Sequence, residues 1–568
     1  MTTSWYDRKS KGLYNVPGVP MVGAFDAAEE LVRLQGYKDE FQPAVAGLSA
    51  KYTIGGHTAS GQDFLVGNPN LGNLSLENPA QFAISWTTVK DVYGIGMRDF
   101  QKGFIETLES PEAATAGFWD MIARNGTAYN LLILRCVTDT RGAELKRQFQ
   151  PYWDERGLDS ILKEGRLYEI DLSIFESVQP YRDGKQLRFN PATLTLLERD
   201  KTKKGSLRPV LIRAWTATQQ PVVYGPQSRG KGTWLYALQA AKTSATLYGI
   251  WLGHVYHWHF VTAAMQGTWD DNIPDNGHPL RDLLKQQSAY LMDFDWVILN
   301  TYFGHDIFKE IAPPSGVGDP NAMLKLLDSF AKGRQYFDDD PKSELEKNGL
   351  KEADFTLEQP WDMYPVARHL VLVWDICEAY VKEVVSTSYA DDGHVASDSS
   401  LQNWMNQAAN TDYGNIRGLP KMDNREALTR VLVSMIFRIT MHGVSRLINS
   451  ANPELTWVAN FPSCLQRDDI PPNSVDLQNL LTYLPNTGTI GGMMAFYFGF
   501  AFSKPQVPLI PNPANSDLPF GGGLSDPRNV ALVKFRQSMA AFISDQYKWW
   551  QKGLFPLDIY QWPRNVEL

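Results

Sequence analysis

Residues 234–265 read WLYALQAAKTSATLYGIWLGHVYHWHFVTAAM, and this stretch decides the fold. It contains no proline and is apolar on nearly every face. A helix of that kind is a buried one, so the stretch predicts a long central helix from Trp234 to Met265 with other elements packed around it. Three of the nine histidines of the chain, His254, His257 and His259, fall inside it. A buried imidazole needs partners for its ring nitrogens, because unpaired polar groups in a core are costly. Two readings follow: core histidines with ordinary hydrogen bonds, or metal ligands. On a regular α-helix, residues five apart are splayed by roughly 140°. His254 and His259 would therefore converge on one ion only if the helix widens into a π-type turn, a feature that concentrates at functional sites. His257, three residues from His254, is the competing partner on a regular helix. A further histidine, His442, sits in a second apolar helix, Met435-Ile-Phe-Arg-Ile-Thr-Met-His442-Gly, with no acidic neighbour close in sequence.

Outward from the central helix, Tyr364 to Thr387 and Arg425 to Ile448 are also strongly helical in pattern. Between Arg166 and Thr218 the pattern changes to period two, and Leu167 to Ile174, Ala192 to Leu197 and Pro209 to Trp215 read as three short strands. Asp183-Gly184 and Lys203 to Ser206 fit connecting turns. The best candidate breaks, Pro313 to Pro320, Asp338 to Pro341 and Pro505 to Gly523, look like surface loops, because periodic apolar segments resume after each. The expected architecture is mainly α, one large helical domain over residues 1–568 with a small β-sheet subregion.

Composition bounds the function. Of the 568 residues 43% are hydrophobic and 21% charged, with 12% aromatic, enough for a large core or an apolar ligand cavity. The net charge of −9 argues against nucleic acid, whose phosphates require clustered Lys and Arg. It equally disfavours an anionic membrane surface, although a local basic patch leaves peripheral membrane contact open. The three cysteines, Cys136, Cys377 and Cys464, are scattered without zinc or disulfide spacing, which favours a reducing compartment. The N-terminal MTTSWYDRKSKG lacks the apolar run of a signal peptide, and no segment is apolar enough for long enough to span a bilayer; Met493 to Phe502 is too short. A cytoplasmic location is the expectation. Oligomeric state is not readable.

From about Leu187 to Leu568 the chain resembles the lipoxygenase family. Trp234 and Ala237 match the start of the family's iron-binding helix, where two histidines stand in an H-x4-H pattern. His278-Pro279 followed by Leu283-Leu284 matches its end. Tyr364-Pro365, Trp374-Asp375, Pro420-Lys421-Met422 and Arg425-Glu426 follow in the family's order and lead to His442. Trp457-Val-Ala-Asn460-Phe-Pro462 is similar to a later family stretch. The final Trp562-Pro563-Arg-Asn-Val566-Glu-Leu568 parallels the family's C-terminus, with Leu replacing the usual Ile.

The resemblance implies an iron site, or manganese as in some members, made by His254, His259, His442 and the main-chain carboxylate of Leu568. Counted from Trp234, however, the family's first ligand position falls on Gly249 and its second on His254, so His259 serves only if the helix register shifts. Four residues after His442, where the family often carries a further ligand, stands Arg446, whose guanidinium cannot bind a cation. Leu238 and Ala245 replace a customary Lys and Asp. The activity implied is dioxygenation of cis,cis-pentadiene polyunsaturated fatty acids to hydroperoxides, with the metal-bound hydroxide as base and electron acceptor and no separate catalytic histidine. Partners are then a small lipid substrate and O2, and Leu291 is the candidate substrate-channel residue, against a plain core role. His257 is assigned to support or packing. The sequence before the matching region is too short for the lipid-associating (PLAT-type) β-barrel of plant and animal members. Two alternatives stay open: different oxidative chemistry on the same scaffold (a dehydrogenase, a hydroperoxide isomerase or a metabolite oxidase), and a non-catalytic lipid-binding relative.

Overall fold

In a computed structural model of the chain, the alternating segment forms the middle of a five-stranded antiparallel sheet. The structure describes residues 51–54, 57–60, 111–124, 133–183, 186–201, 207–287, 320–350, 364–451, 464–472, 474–476, 479–480, 482–484, 510 and 513–550. Strands β1 (Leu134–Cys136), β2 (Leu167–Leu172), β3 (Ala192–Arg199), β4 (Leu207–Trp215) and β5 (Val222–Tyr224) lie side by side in chain order. The three strands read from the sequence are the three central ones, while β1 and β5 are three-residue edges, too short to show a period. Ile170 faces Thr195, and Thr195 faces Ile212, with a register shift between Leu196 and Leu197.

The alternation of residue type is not an alternation of exposure. Thr193 and Thr195 are as buried as Leu194 and Leu196, because both faces of the sheet are covered. Helix Asp139–Phe149 sends Arg141 to Glu169 at 3.0 Å and to Asp171 at 2.9 Å. Its Gln148 accepts a hydrogen bond from Arg213 at 3.1 Å. Helices α1 (Pro111–Arg124) and α2 (Lys231–Leu247) pack against β4.

Every residue of α2 from Gly232 to Leu247 is buried. Several of its polar side chains are satisfied there by bonding to backbone. Thr243 and Thr246 donate to the carbonyls four residues back, at 2.8 and 2.9 Å, and Ser244 donates to the Pro191 carbonyl at 2.8 Å. Trp234 Nε1 donates to Thr115 Oγ1 of α1 at 2.7 Å. At the start of α2, Gly232 lies so close to the 474–476 segment that an added Cβ would stand 2.4 Å from the Asp476 carbonyl oxygen. The helical run continues through a π-helical segment, Tyr248–Phe260, into α3 (Val261–Asn272).

Around this axis stand α4 (Pro320–Lys332), α5 (Pro365–Ser388), α6 (Ser399–Ala409), α7 (Arg425–Ala451) and α8 (Pro527–Trp550). The π segment packs against α4 and α7, α3 against α6, and α5 against both α7 and α8. Pro365 opens α5, where its missing N–H costs nothing. Asp398 caps α6 through the Leu401 N–H at 3.0 Å and also accepts from Tyr389 Oη at 2.7 Å and faces His278 Nε2 at 3.0 Å. The His278 Nδ1 accepts from the Leu280 N–H at 3.2 Å, which assigns the ring proton to Nε2 and explains the His278-Pro279 turn as a structural lock between α3 and α6. Of the loops read from sequence, Asp338 to Pro341 is one, ended by Asp340 capping helix Pro341–Lys347; residues 313–319, 505–509 and 511–512 lie outside the described residues. Among the described residues no helix is long and apolar enough to cross a membrane, and none of the three cysteines is in a disulfide.

Candidate metal centre

The π segment changes the angular spacing of its side chains. With i→i+5 hydrogen bonding, residues five apart come roughly one above the other, where an α-helix would splay them. His254 and His259 accordingly face one another, Nε2 to Nε2, at 3.1 Å. Helix α7, packed on the same segment, brings His442 Nε2 to 3.2 Å from His254 Nε2. The three ring nitrogens lie within 4.8 Å of one another. The rings themselves are tilted, with centroids 4.6–4.9 Å apart. Trp258 walls the cluster, its ring 5.8 Å from His254 and 6.1 Å from His442. His259 and His442 are fully buried and His254 is half-buried.

This arrangement has a protonation problem that a cation removes. Burial, aided by His259, holds the His254 imidazole well below its ordinary pKa. Burial alone pushes His259 down to about 3. The two rings are neutral at ordinary pH, so each has one N–H and one lone pair. One proton satisfies one nitrogen pair and leaves lone pairs facing each other elsewhere in the triad. A single metal ion accepts all three lone pairs. Two nitrogens about 2.1 Å from a shared ion stand about 3.0 Å apart at a right angle and about 3.4 Å apart at the tetrahedral angle. The observed 3.1 and 3.2 Å fall between these limits. The residues present therefore fit a first-row transition metal, for which neutral imidazole is a good donor. Among the described residues no carboxylate joins the three histidines.

His257, the competing partner for His254, is not in the cluster. Its ring lies against Tyr256 and Phe330, at 5.4 and 5.6 Å, and it is buried. Gly249, at the family's first ligand position, is a buried residue of the π segment. Leu568, Leu291, the Trp457 to Pro462 stretch and the side chain of Arg446 lie outside the described residues. Sequence reading did not single out Trp258 as the wall of the site. It also missed the fully buried Arg438, one helical turn before His442, which pairs with Asp339 at 2.8 Å. A lone arginine inside the apolar run 431–441 is the signal that would have found it.

Residues 349–481 match the family model for lipoxygenase. The mouse epidermal-type polyunsaturated fatty acid (12S)/(13S)-lipoxygenase is 23% identical over 397 residues, 67% of this chain and 56% of that one. The chloroplastic lipoxygenase 6 of Arabidopsis thaliana is 22% identical over 333 residues, 55% of this chain and 35% of its own length. The chain thus spans about half the length, or less, of such relatives. In three dimensions it is similar to a manganese lipoxygenase, with a TM-score of 0.68 at 17% identity, covering 98% of this chain and 93% of that one. It is also similar to a calcium-dependent 11R-lipoxygenase, with a TM-score of 0.65 at 16% identity, covering 97% and 77%. The helical scaffold with its small sheet is the lipoxygenase fold, and residues 349–481 carry the match to the family model.

Proposed function

We propose that this chain is a non-haem metal dioxygenase that oxidises cis,cis-pentadiene polyunsaturated fatty acids to hydroperoxides, using one iron ion, with manganese as the alternative. The observation that carries this reading is the convergence of His254, His259 and His442 through their Nε2 atoms on a lipoxygenase scaffold. These three residues would hold the metal, together with the main-chain carboxylate of Leu568 as the anionic donor. A metal held there would supply the one-electron oxidation needed at the substrate's bis-allylic C–H. The protein's part is to keep the imidazoles neutral by burial, to fix their directions through the π segment and α7, and to exclude water with Trp258 and the surrounding core. Leu291 is proposed to line the lipid channel, residues 1–568 to form one catalytic domain, and the enzyme to work in the cytoplasm on lipid delivered by peripheral contact.

Oxygen uptake and conjugated-diene absorbance with linoleate or arachidonate test the reaction: both should rise together in the metal-loaded protein. Product formed without O2 uptake would instead indicate different oxidative chemistry on the same scaffold. Metal analysis tests the site. One Fe or Mn per chain is expected, and a preparation that retains neither after supply of both rejects the enzyme reading in favour of a binding protein. Deleting Leu568, or extending the chain past it with a tag, should lower metal content and activity together; a fully active tagged protein would remove Leu568 from the ligand set.

A further inference from the structure

A second cavity, sharing no residue with the imidazole cluster, lies between the π segment, α7 and the Arg334–Tyr336 and Asn415–Arg417 turns. Its lining includes His257, Arg334, Arg417 and Arg438, with Tyr256 and Tyr336. Three arginines line it and no carboxylate does. The nearby acids are engaged outside it: Asp339 lies 2.8 Å from Arg438 Nε, while Glu344 and Asp338 pair with Lys347 at 3.0 and 3.8 Å. Glu344 reaches Arg334 only at 3.9 Å.

Arg334 donates to Tyr248 Oη at 3.1 Å and Arg417 to the Lys332 carbonyl at 3.0 Å, but Arg438 and His257 keep buried donors unspent. Arg438 is fully buried; its Nη2 donates to the Tyr336 carbonyl and its Nη1 has no hydrogen-bond partner among the described residues. His257 is 4% exposed, and neither of its ring nitrogens has a partner among the described residues. A buried charged donor without an acceptor is costly, so the site calls for an occupant that accepts. Its size selects which. The cavity has a volume of about 20 Å³, against the ~10–15 Å³ that one water requires. A phosphate or sulfate is too large; a water fits but brings no charge to a wall of three arginines.

We propose that this cavity binds one small monovalent anion of the halide class, held by Arg438 and Arg334, with His257 donating a ring N–H and Arg417 at the rim. Such an ion touches the π segment that carries His254 and His259, and it touches the helix that carries His442. It therefore braces the two elements whose packing assembles the imidazole cluster. The site stands whatever reaction the scaffold runs.

Bromide is the direct probe. Crystals of the full chain soaked in sodium bromide should show an anomalous peak within hydrogen-bond reach of Arg438 and His257; an ordered water there with no anomalous signal overturns the proposal. In solution, chloride replacing gluconate at constant ionic strength should raise the melting temperature along a saturating curve, as expected for a ligand that binds the folded state. A flat response also overturns it. Arg417→Gln, at an exposed position, should shift the half-saturating chloride concentration upward by about threefold while leaving the protein folded, and an unchanged midpoint would remove Arg417 from the site. Arg438→Met should abolish the chloride-dependent part of the curve; if that variant fails to fold, the bromide peak and the Arg417 shift decide.

Discussion

At the scale of single residues, the choice between His257 and His259 as partner of His254 carries most of the consequence. The two differ by two positions in sequence, yet one faces His254 at 3.1 Å and the other packs on Phe330. His259→Ala should therefore reduce metal affinity strongly, by more than the ~10–100-fold that loss of an outer hydrogen-bonding partner typically costs. His257→Ala should leave metal content close to that of the parent protein. Metal content after gel filtration checks both, and equal losses would mean that the ring facing His254 is not the one that holds the ion with it. The residue types at 254, 259 and 442 were legible in sequence as candidate ligands. Their mutual facing was not, because it depends on a backbone hydrogen-bonding pattern that no residue type dictates.

Elements decide how those side chains are aimed. Strands and helices with long periods were legible: the three central strands, α5, α7 and the buried run through α2 and α3 all stand where their patterns put them. Edge strands β1 and β5 were not, since three residues contain no period to read. The junction of α3 and α6 rests on Asp398, which caps α6 and receives hydrogen bonds from His278 and Tyr389. Burial raises the pKa of this carboxyl, but the bonds from His278, the Leu401 N–H and Tyr389 outweigh it and hold the group down to about 2. Its pKa in the unfolded chain is about 3.9. The folded value is the lower of the two, so the unfolded state takes up the proton first as acid is added. The stabilisation is complete above about pH 4 and fades as the pH falls through about 2. Asp398→Ala should cost roughly 2–4 kcal/mol, from the lost cap and the lost charge-assisted bonds. Thermal melts should show the gap between parent and variant narrowing below pH 4; a gap independent of pH would mean the ionised carboxylate is not what α6 requires.

For the whole molecule, the determining event is the docking of sheet, loops and helices onto one buried axis. Gly232 shows how tight that docking is: alanine is the better helix former, yet its Cβ would meet the Val475 and Asp476 carbonyl oxygens at 2.7 and 2.4 Å. Gly232→Ala should therefore destabilise the protein by about 1–3 kcal/mol, as overpacking does, and a melting temperature at or above that of the parent would show that the 474–476 segment yields. What the sequence determined by itself was the class of structure: an apolar helix too uniform to face water, flanked by further helices and a short run of alternating strands, with histidines placed inside it. Hydrophobic periodicity carries that information locally, residue by residue. What only the tertiary structure decided was the use of those histidines. The π segment that aligns His254 with His259, the seating of α7 that delivers His442 from 188 positions away, and the closure of three arginines around His257 each depend on how separate helices pack. Packing is settled by the fit of surfaces far apart in the chain, and no local pattern encodes it.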